Sequence, residues 1–231
     1  MSDKKTPTVT SPSVNQFLAK LATTPVKSSA GKARLIFAMD ATASREPSWD
    51  HACHLQGEMF AATDALGGLS VQLCYYRGFA EFQADPWCDN TSTLLNQMLS
   101  VRCLGGHTRI KRVLEHTLTS HEQRSVQAVV FVSDAMEENP DTLCQLAGKL
   151  GLLNIPLFMF QEGQDVQTRH IFTQMAECSG GAYAPFDLNS AHELKQLLSA
   201  VAVFAAGGRL ALEDYSRRSG DNIERLTRQL K

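Results

Sequence analysis

The sequence lacks any apolar run that reaches the roughly 18 residues a membrane-spanning helix requires. Its first segment, MSDKKTPTVTSPSVNQ, has no apolar stretch behind the lysines and so does not resemble a secretory signal. The six cysteines are scattered without a CxxC pair, which argues against a zinc site or a disulfide framework. These absences predict a reduced, cytoplasmic protein with no membrane partner.

The sequence also has little net charge, because 22 lysines and arginines face 24 aspartates and glutamates, which gives −2. The distribution is uneven. Residues 1–34 hold six basic and one acidic residue, and residues 209–231 hold six and four, which leaves ten and nineteen, or −9, for the body. Nucleic-acid-binding surfaces need lysine and arginine gathered on the folded body. The pattern therefore predicts no nucleic-acid partner and a basic arm that is a solvated tail.

Length and composition divide the chain into three parts. Residues 1–32 are rich in Ser, Thr, Pro and Lys and are predicted to be largely disordered, with a short helix around residues 14–21. Residues 33–206 are predicted to form one domain, which is long enough to bury its core without disulfides. Residues 207–231 have an amphipathic pattern and are predicted to form a helical extension.

Strand and helix patterns alternate along the body. Continuous apolar runs at 33–39, 126–133 and 155–161 predict strands buried on both faces. The segments LSVQLCYY and GFAEFQ flank Arg77–Gly78 and predict an antiparallel hairpin. Helices are predicted near 48–66, 91–100, 109–120, 140–151, 166–178 and 190–206. This order predicts an α/β fold: an open, mainly parallel, Rossmann-like sheet with helices on both faces and one antiparallel edge strand.

Polar oxygen-bearing residues follow two of the buried strands at the point where each strand ends. Asp40, Thr42 and Ser44 come at every second residue after the first strand, and Asp134 follows the strand at 126–133. A loop with two glycines lies between them in the chain and ends in Thr108. Ligands of open α/β sheets bind beyond the carboxyl ends of the strands, so these side chains are predicted to face one crevice.

Carboxylate and hydroxyl oxygens without a neighbouring cysteine cluster suit a hard cation. Magnesium prefers oxygen ligands, keeps several waters and seldom takes a cage made only of protein groups. Two carboxylates would balance its charge, while hydroxyls and waters fill the other positions. The sequence therefore predicts one Mg²⁺ or Mn²⁺ site.

With these five residues in order, the chain resembles the von Willebrand factor A (VWA) family and its metal-ion-dependent adhesion site (MIDAS). Asp40, Thr42 and Ser44 match the DxSxS motif, with threonine in the middle position. Thr108 matches the threonine of the second loop, and Asp134 matches the aspartate of the third. The resemblance implies that the hydroxyls contact the metal and that the aspartates act directly or through water. It also implies that one coordination position accepts an Asp or Glu from a partner protein.

The third loop departs from the family's pattern. Ala135 follows Asp134 where most members have glycine, and Glu137 and Glu138 add charge close by. The departure bears on the affinity for metal and on the choice of metal.

The resemblance implies a protein-interaction module that is not an enzyme and acts as an adaptor or assembly factor. Similar intracellular VWA proteins work with AAA+ ATPases or in stress-response complexes, which are the expected partners. The loops 45–50, 104–109 and 135–140, with Trp49 and Met136, are predicted to supply most of the contact area.

Two other functions stay open, while the lack of GxxxxGK[ST] excludes a P-loop ATPase. A haloacid-dehalogenase-like hydrolase also has an aspartate after a buried strand and binds magnesium. However, it needs a second acidic residue where this chain has Thr42. The other is a VWA scaffold that binds no metal and works through its termini.

Overall fold

A computed structural model describes part of the chain, namely Gln16, Lys20 and residues 31–55, 61–62, 68–186 and 191–218. The predicted N-terminal arm and its short helix lie outside the described residues, except for Gln16 and Lys20, which are helical. The end of the predicted extension, 219–231, also lies outside them.

Six strands of the described chain form one sheet in the order β3-β2-β1-β4-β5-β6. They are β1 (Ala33–Asp40), β2 (Leu69–Arg77), β3 (Glu81–Ala84), β4 (Ala128–Ser133), β5 (Leu157–Glu162) and β6 (Ala182–Phe186). All neighbouring pairs are parallel except β2 and β3. The predicted mainly parallel sheet with one antiparallel edge strand is therefore confirmed.

The described helices alternate with the strands. They are α1 (Glu46–Leu55), α2 (Thr91–Leu99), α3 (Ile110–Gln123), α4 (Pro140–Leu152), α5 (Val166–Ser179) and α6 (Ala191–Arg218), with a 3-10 turn at Ala43–Arg45. As predicted, α4 starts with Pro140 after Asn139, whose side chain accepts a hydrogen bond from the Thr142 amide at 3.0 Å. None of the helices in the described chain has the length and apolar character needed to cross a membrane.

The last helical span, α6, is interrupted near its middle. Gly208 has non-helical backbone angles (φ 69°, ψ −163°), so two helical segments meet there, and glycine avoids the usual penalty for a positive φ. Beyond the kink, Leu212 is buried in the same core as Leu197 and Phe204. The break lies next to the predicted boundary at 206, and the segment after it packs on the same core as the segment before it.

Side chains of β1 alternate between two cores. Leu35, Phe37 and Met39 pack in the core under α1, α2 and α6, whereas Ile36 and Ala38 pack in the core under α3, α4 and α5. Burial on both faces explains why the strand has a continuous apolar sequence. β1 also lies between β2 and β4, so the chain order reverses next to it.

Candidate metal centre

A cavity of about 210 Å³ lies at the carboxyl ends of β1 and β4. Its lining includes all five residues predicted from the sequence: Asp40, Thr42, Ser44, Thr108 and Asp134. The remaining lining residues are Ala43, Gly105, Gly106, Ala135 and Glu137. The cavity thus lies where the strand order reverses, which is the usual ligand position in open α/β sheets.

Asp40 is buried and held in place by hydrogen bonds to both carboxylate oxygens. Its Oδ1 accepts from the Thr42 amide at 2.8 Å, and its Oδ2 accepts from the Ser133 hydroxyl at 2.9 Å. The buried Tyr76 hydroxyl donates in turn to Ser133 at 3.4 Å. Burial raises the pKa of Asp40 and the charge of Asp134 adds to the rise, while the hydrogen bonds oppose it. A cation in the cavity would offset the cost of ionising this carboxyl group.

Hydroxyl oxygens connect the first loop to Asp134. Thr42 Oγ1 lies 3.4 Å from Ser44 Oγ, which donates to Asp134 Oδ2 at 3.3 Å. These distances exceed the 2.7–2.8 Å or so of a good O–H···O hydrogen bond. They are nearer the separation of about 3 Å between adjacent ligands of an octahedral Mg²⁺. The hydroxyl and carboxylate oxygens of Thr42, Ser44 and Asp134 are therefore neighbours that are not tightly bonded to one another.

The donor set determines which cation fits. Among the described residues, no group of three or more His, Cys, Asp or Glu side chains is placed to hold a metal. A metal in this cavity would therefore depend on two carboxylates together with hydroxyls and water. Such an all-oxygen set suits a hard cation better than a soft one.

Arg45 is a charged neighbour of the site that the sequence pattern did not predict. Its side chain is only 1% exposed, and its Nη1 pairs with Glu162 and lies 3.9 Å from Asp134 Oδ2. Ser48 also donates a hydrogen bond to Glu162, whereas Arg45 Nε and Nη2 have no acceptor among the described residues. Glu162 is the last residue of the buried strand β5 and lies at the same end of the sheet as the cavity. A carboxylate at the end of a buried strand is the feature of the sequence that could have predicted its place near the site.

The two glutamates of the third loop tie it to the second loop. Glu137 Oε2 accepts from the Thr108 amide at 3.2 Å and lies 3.1 Å from His107 Nδ1, while Thr108 Oγ1 accepts from the Glu137 amide at 3.1 Å. Glu138 accepts from the Lys111 amide at 3.1 Å in the first turn of α3, where a negative charge is favourable. Burial raises the pKa of Glu138, and this hydrogen bond opposes the rise. Of the two, Glu137 lines the cavity.

Two backbone positions explain how the loops meet. Among the described non-glycine residues, Asn154 alone has a positive φ, so Ala135 replaces the family's usual glycine without that strain. Gly106, in contrast, is required by close packing, because a Cβ there would lie 1.9 Å from the Gly78 carbonyl oxygen.

The predicted contact role of Trp49 is wrong. Its side chain is 3% exposed, and its indole donates to the Met98 carbonyl at 2.9 Å. Arg45 and Ser48 are buried as well, so half of the predicted loop at 45–50 is internal. Met136 is partly buried and packs against the core.

Solved structures share this fold. An aerotolerance-related membrane protein from Bacteroides fragilis is 14% identical, with 74% of this chain and 98% of that chain covered and a TM-score of 0.57. The SpRpn10 VWA domain is 13% identical, with 77% and 97% covered and a TM-score of 0.56. Proximal thread matrix protein 1 from the mussel byssus, whose MIDAS motif is occupied by zinc, is 14% identical, with 75% and 46% covered and a TM-score of 0.57.

The three-dimensional similarity defines the class of fold. No family model matches the sequence, and no curated protein matches it either. The solved structures nevertheless share the arrangement of this chain at TM-scores of 0.56 and 0.57, and the chain has the fold of a VWA domain.

Proposed function

We propose that this chain is a protein-interaction module that binds an Asp or Glu of a partner through a divalent cation. The proposed metal residues are Asp40, Thr42, Ser44, Thr108 and Asp134. The proposal depends on one observation: these side chains come from three separate loops and line a single cavity. The zinc-occupied MIDAS of a protein with the same fold supports it. We favour Mg²⁺ or Mn²⁺ because every donor is oxygen.

The charges around the cavity favour a further anionic oxygen. A bound cation would supply a positive centre whose charge Asp40 and Asp134 balance. Arg45 adds positive charge behind Asp134 and is itself offset by Glu162. The body of the protein carries −9, so a partner carboxylate would gain little by approaching elsewhere.

Calorimetry with Mg²⁺ and Mn²⁺ tests the metal site. We expect one site per chain in the wild type and none in Asp40→Ala or Asp134→Asn. Asp165→Asn is the matched control, because it removes an exposed carboxylate at the same edge and asparagine still caps α5. Equal binding by the wild type and Asp40→Ala contradicts the proposal.

We further propose that the module is an adaptor or assembly factor, with an AAA+ ATPase or a stress-response complex as its partner. The partner should be captured by the full chain in Mg²⁺, lost in EDTA and restored by Mg²⁺, with mass spectrometry as the readout. Thr108→Ala should lose it as well. A partner retained through both EDTA and Thr108→Ala would point to the metal-free scaffold.

A hydrolase is the remaining alternative, and the geometry around Asp40 argues against it. Both oxygens of this carboxylate are engaged in hydrogen bonds, and Thr42 stands where a general acid is needed. We therefore expect no Mg²⁺-dependent hydrolysis of p-nitrophenyl phosphate. Hydrolysis by the wild type that is lost in Asp40→Ala would indicate an enzyme and contradict the proposed binding module.

A further inference from the structure

Large apolar side chains are exposed beside the proposed metal site. Phe79, at the tip of the β2–β3 hairpin, is 77% exposed, and Leu104, in the loop before α3, is 47% exposed. The ring of His107 lies 5.9 Å from that of Phe79. Phe79 is the only aromatic residue among the large exposed apolar residues of the described chain. We call the surface of Phe79, Leu104 and His107 the hairpin rim.

Backbone hydrogen bonds fix the hairpin rim to the cavity. The His107 amide donates to the Gly78 carbonyl at 3.2 Å, and the Gly78 amide donates to the Leu104 carbonyl at 3.4 Å. The Leu104 amide donates to the carbonyl of Ala41, which lies between Asp40 and Thr42, at 3.0 Å. The Arg109 guanidinium also donates to the Phe79 carbonyl. The backbone that carries the exposed ring is therefore held beside the metal loops.

Charge distinguishes the two sides of the cavity. Residues 102–109, on the hairpin side, include Arg102 and Arg109 and no acidic residue. The third loop, 134–138, includes three carboxylates and no basic residue. An acidic peptide bound at the metal therefore meets basic side chains on the hairpin side and carboxylates in the third loop, where Glu137 lies 3.1 Å from His107.

We propose that the hairpin rim receives a bulky apolar side chain of the partner, next in sequence to the Asp or Glu that binds the metal. The inference rests on the proposed function and names its ligand: an extended acidic peptide segment with an adjacent Leu, Ile, Met, Phe or Trp. An aromatic ring on a rigid support suits this role, since aromatic residues are enriched among the residues that dominate binding energy.

Selection from a displayed library of random peptides on the full chain in Mg²⁺ tests this inference. We expect peptides that pair Asp or Glu with a neighbouring bulky apolar residue and that are released by EDTA. Phe79→Ser should weaken the best peptide about tenfold or more. Leu152→Ser is the matched control, because Leu152 is an exposed apolar residue (85%) at the end of α4. This helix leads into β5, so Leu152 lies near the amino ends of the strands, away from the cavity.

A double-mutant cycle makes the assignment specific. Replacing the apolar residue of the selected peptide by serine should cost the same factor on the wild type and almost nothing on Phe79→Ser, because the two groups share one contact. The selected acidic peptides could bind in a Mg²⁺-dependent manner without an apolar preference, or with an affinity that Phe79→Ser leaves unchanged. Either result contradicts the role of the hairpin rim and is compatible with the proposed function. If no Mg²⁺-dependent peptide is selected, or if binding survives both EDTA and Thr108→Val, both proposals fail.

Discussion

Two buried arginines lie at opposite ends of the parallel strands. Arg34 lies near the amino ends of the strands, which we call the amino edge of the sheet, and Arg45 lies near their carboxyl ends, which we call the carboxyl edge. Arg34 donates to the Arg124 carbonyl at 2.5 Å and stacks 3.7 Å above the ring of Trp87. Arg45 instead pairs with Glu162 and approaches Asp134. The acceptors of Arg34 are thus neutral carbonyl groups, with the cation of Arg124 nearby, whereas Arg45 is paired with carboxylates.

The two edges differ in the sign of their excess charge. At the amino edge, burial and then the charge of Arg124 lower the pKa of Arg34, as expected where two cations lie close together. At the carboxyl edge, two aspartates and Glu137 line a cavity beside the Arg45–Glu162 pair. Carboxylates gathered around one cavity repel one another unless a cation joins them, which is a pattern expected of a functional site.

The largest expected effect is that of Arg45→Met. The substitution leaves Glu162 without its cation, and breaking a buried ion pair costs about 3–5 kcal/mol of the free energy of unfolding. Urea denaturation in EDTA measures this loss. The double variant with Glu162→Gln should recover part of it. Arg34→Met removes hydrogen bonds to neutral carbonyls and should cost only about 1–2 kcal/mol of the free energy of unfolding. Equal losses in the Arg45 and Arg34 variants would contradict the distinction between the two edges.

Metal binding should stabilise the carboxyl edge without being needed for the fold. The apolar strands β1, β4 and β5 form a core independent of any ion, so far-ultraviolet circular dichroism should be unchanged in EDTA. A hundredfold excess of cation over its dissociation constant should add about 2.7 kcal/mol to the free energy of unfolding. Asp134→Asn should show no such gain. Loss of the dichroism signal in EDTA would mean that the metal is structural.

Glycine substitutions compare how tightly the two edges pack. A Cβ at Gly106 would lie 1.9 Å from the Gly78 oxygen, and one at Gly181, at the amino edge, would lie 2.1 Å from the Leu157 oxygen. Both alanine variants should lose about 1–3 kcal/mol of stability. Only Gly106→Ala should also weaken metal and peptide binding. Gly148→Ala, on α4 and outside the cavity, meets no atom within 4 Å and is the control. Unchanged binding in Gly106→Ala would show that the hairpin does not position the site.

The sequence predicted the sheet and the placement of the five cavity residues because both depend on local patterns. Continuous apolar runs predict buried strands, and residues after parallel strands meet at one edge. The pairing of Arg45 with Glu162 depends on two residues 117 positions apart, and no local pattern relates them. Trp49 was misplaced for a similar reason, because its burial depends on the Met98 carbonyl of another helix.

The smallest expected effect concerns His116, a charged neighbour of Arg34 when protonated, and tests whether the folded chain lowers its pKa. His116 lies on α3 with its Nε2 2.9 Å from Gln72 Oε1, and burial, followed by the charge of Arg34, lowers the pKa of His116 from its ordinary value of 6.5. The unfolded chain therefore takes up a proton near pH 6.5, whereas the folded chain resists it. The contribution of His116 to the free energy of unfolding is fully present above that pH. It decreases as the pH falls below it, by at most about 1.4 kcal/mol per pH unit. His116→Gln should remove this part of the slope in urea denaturation between neutral and mildly acidic pH, while the exposed-site control His54→Gln should not. Parallel curves for the wild type and His116→Gln would mean that folding does not lower the pKa of His116.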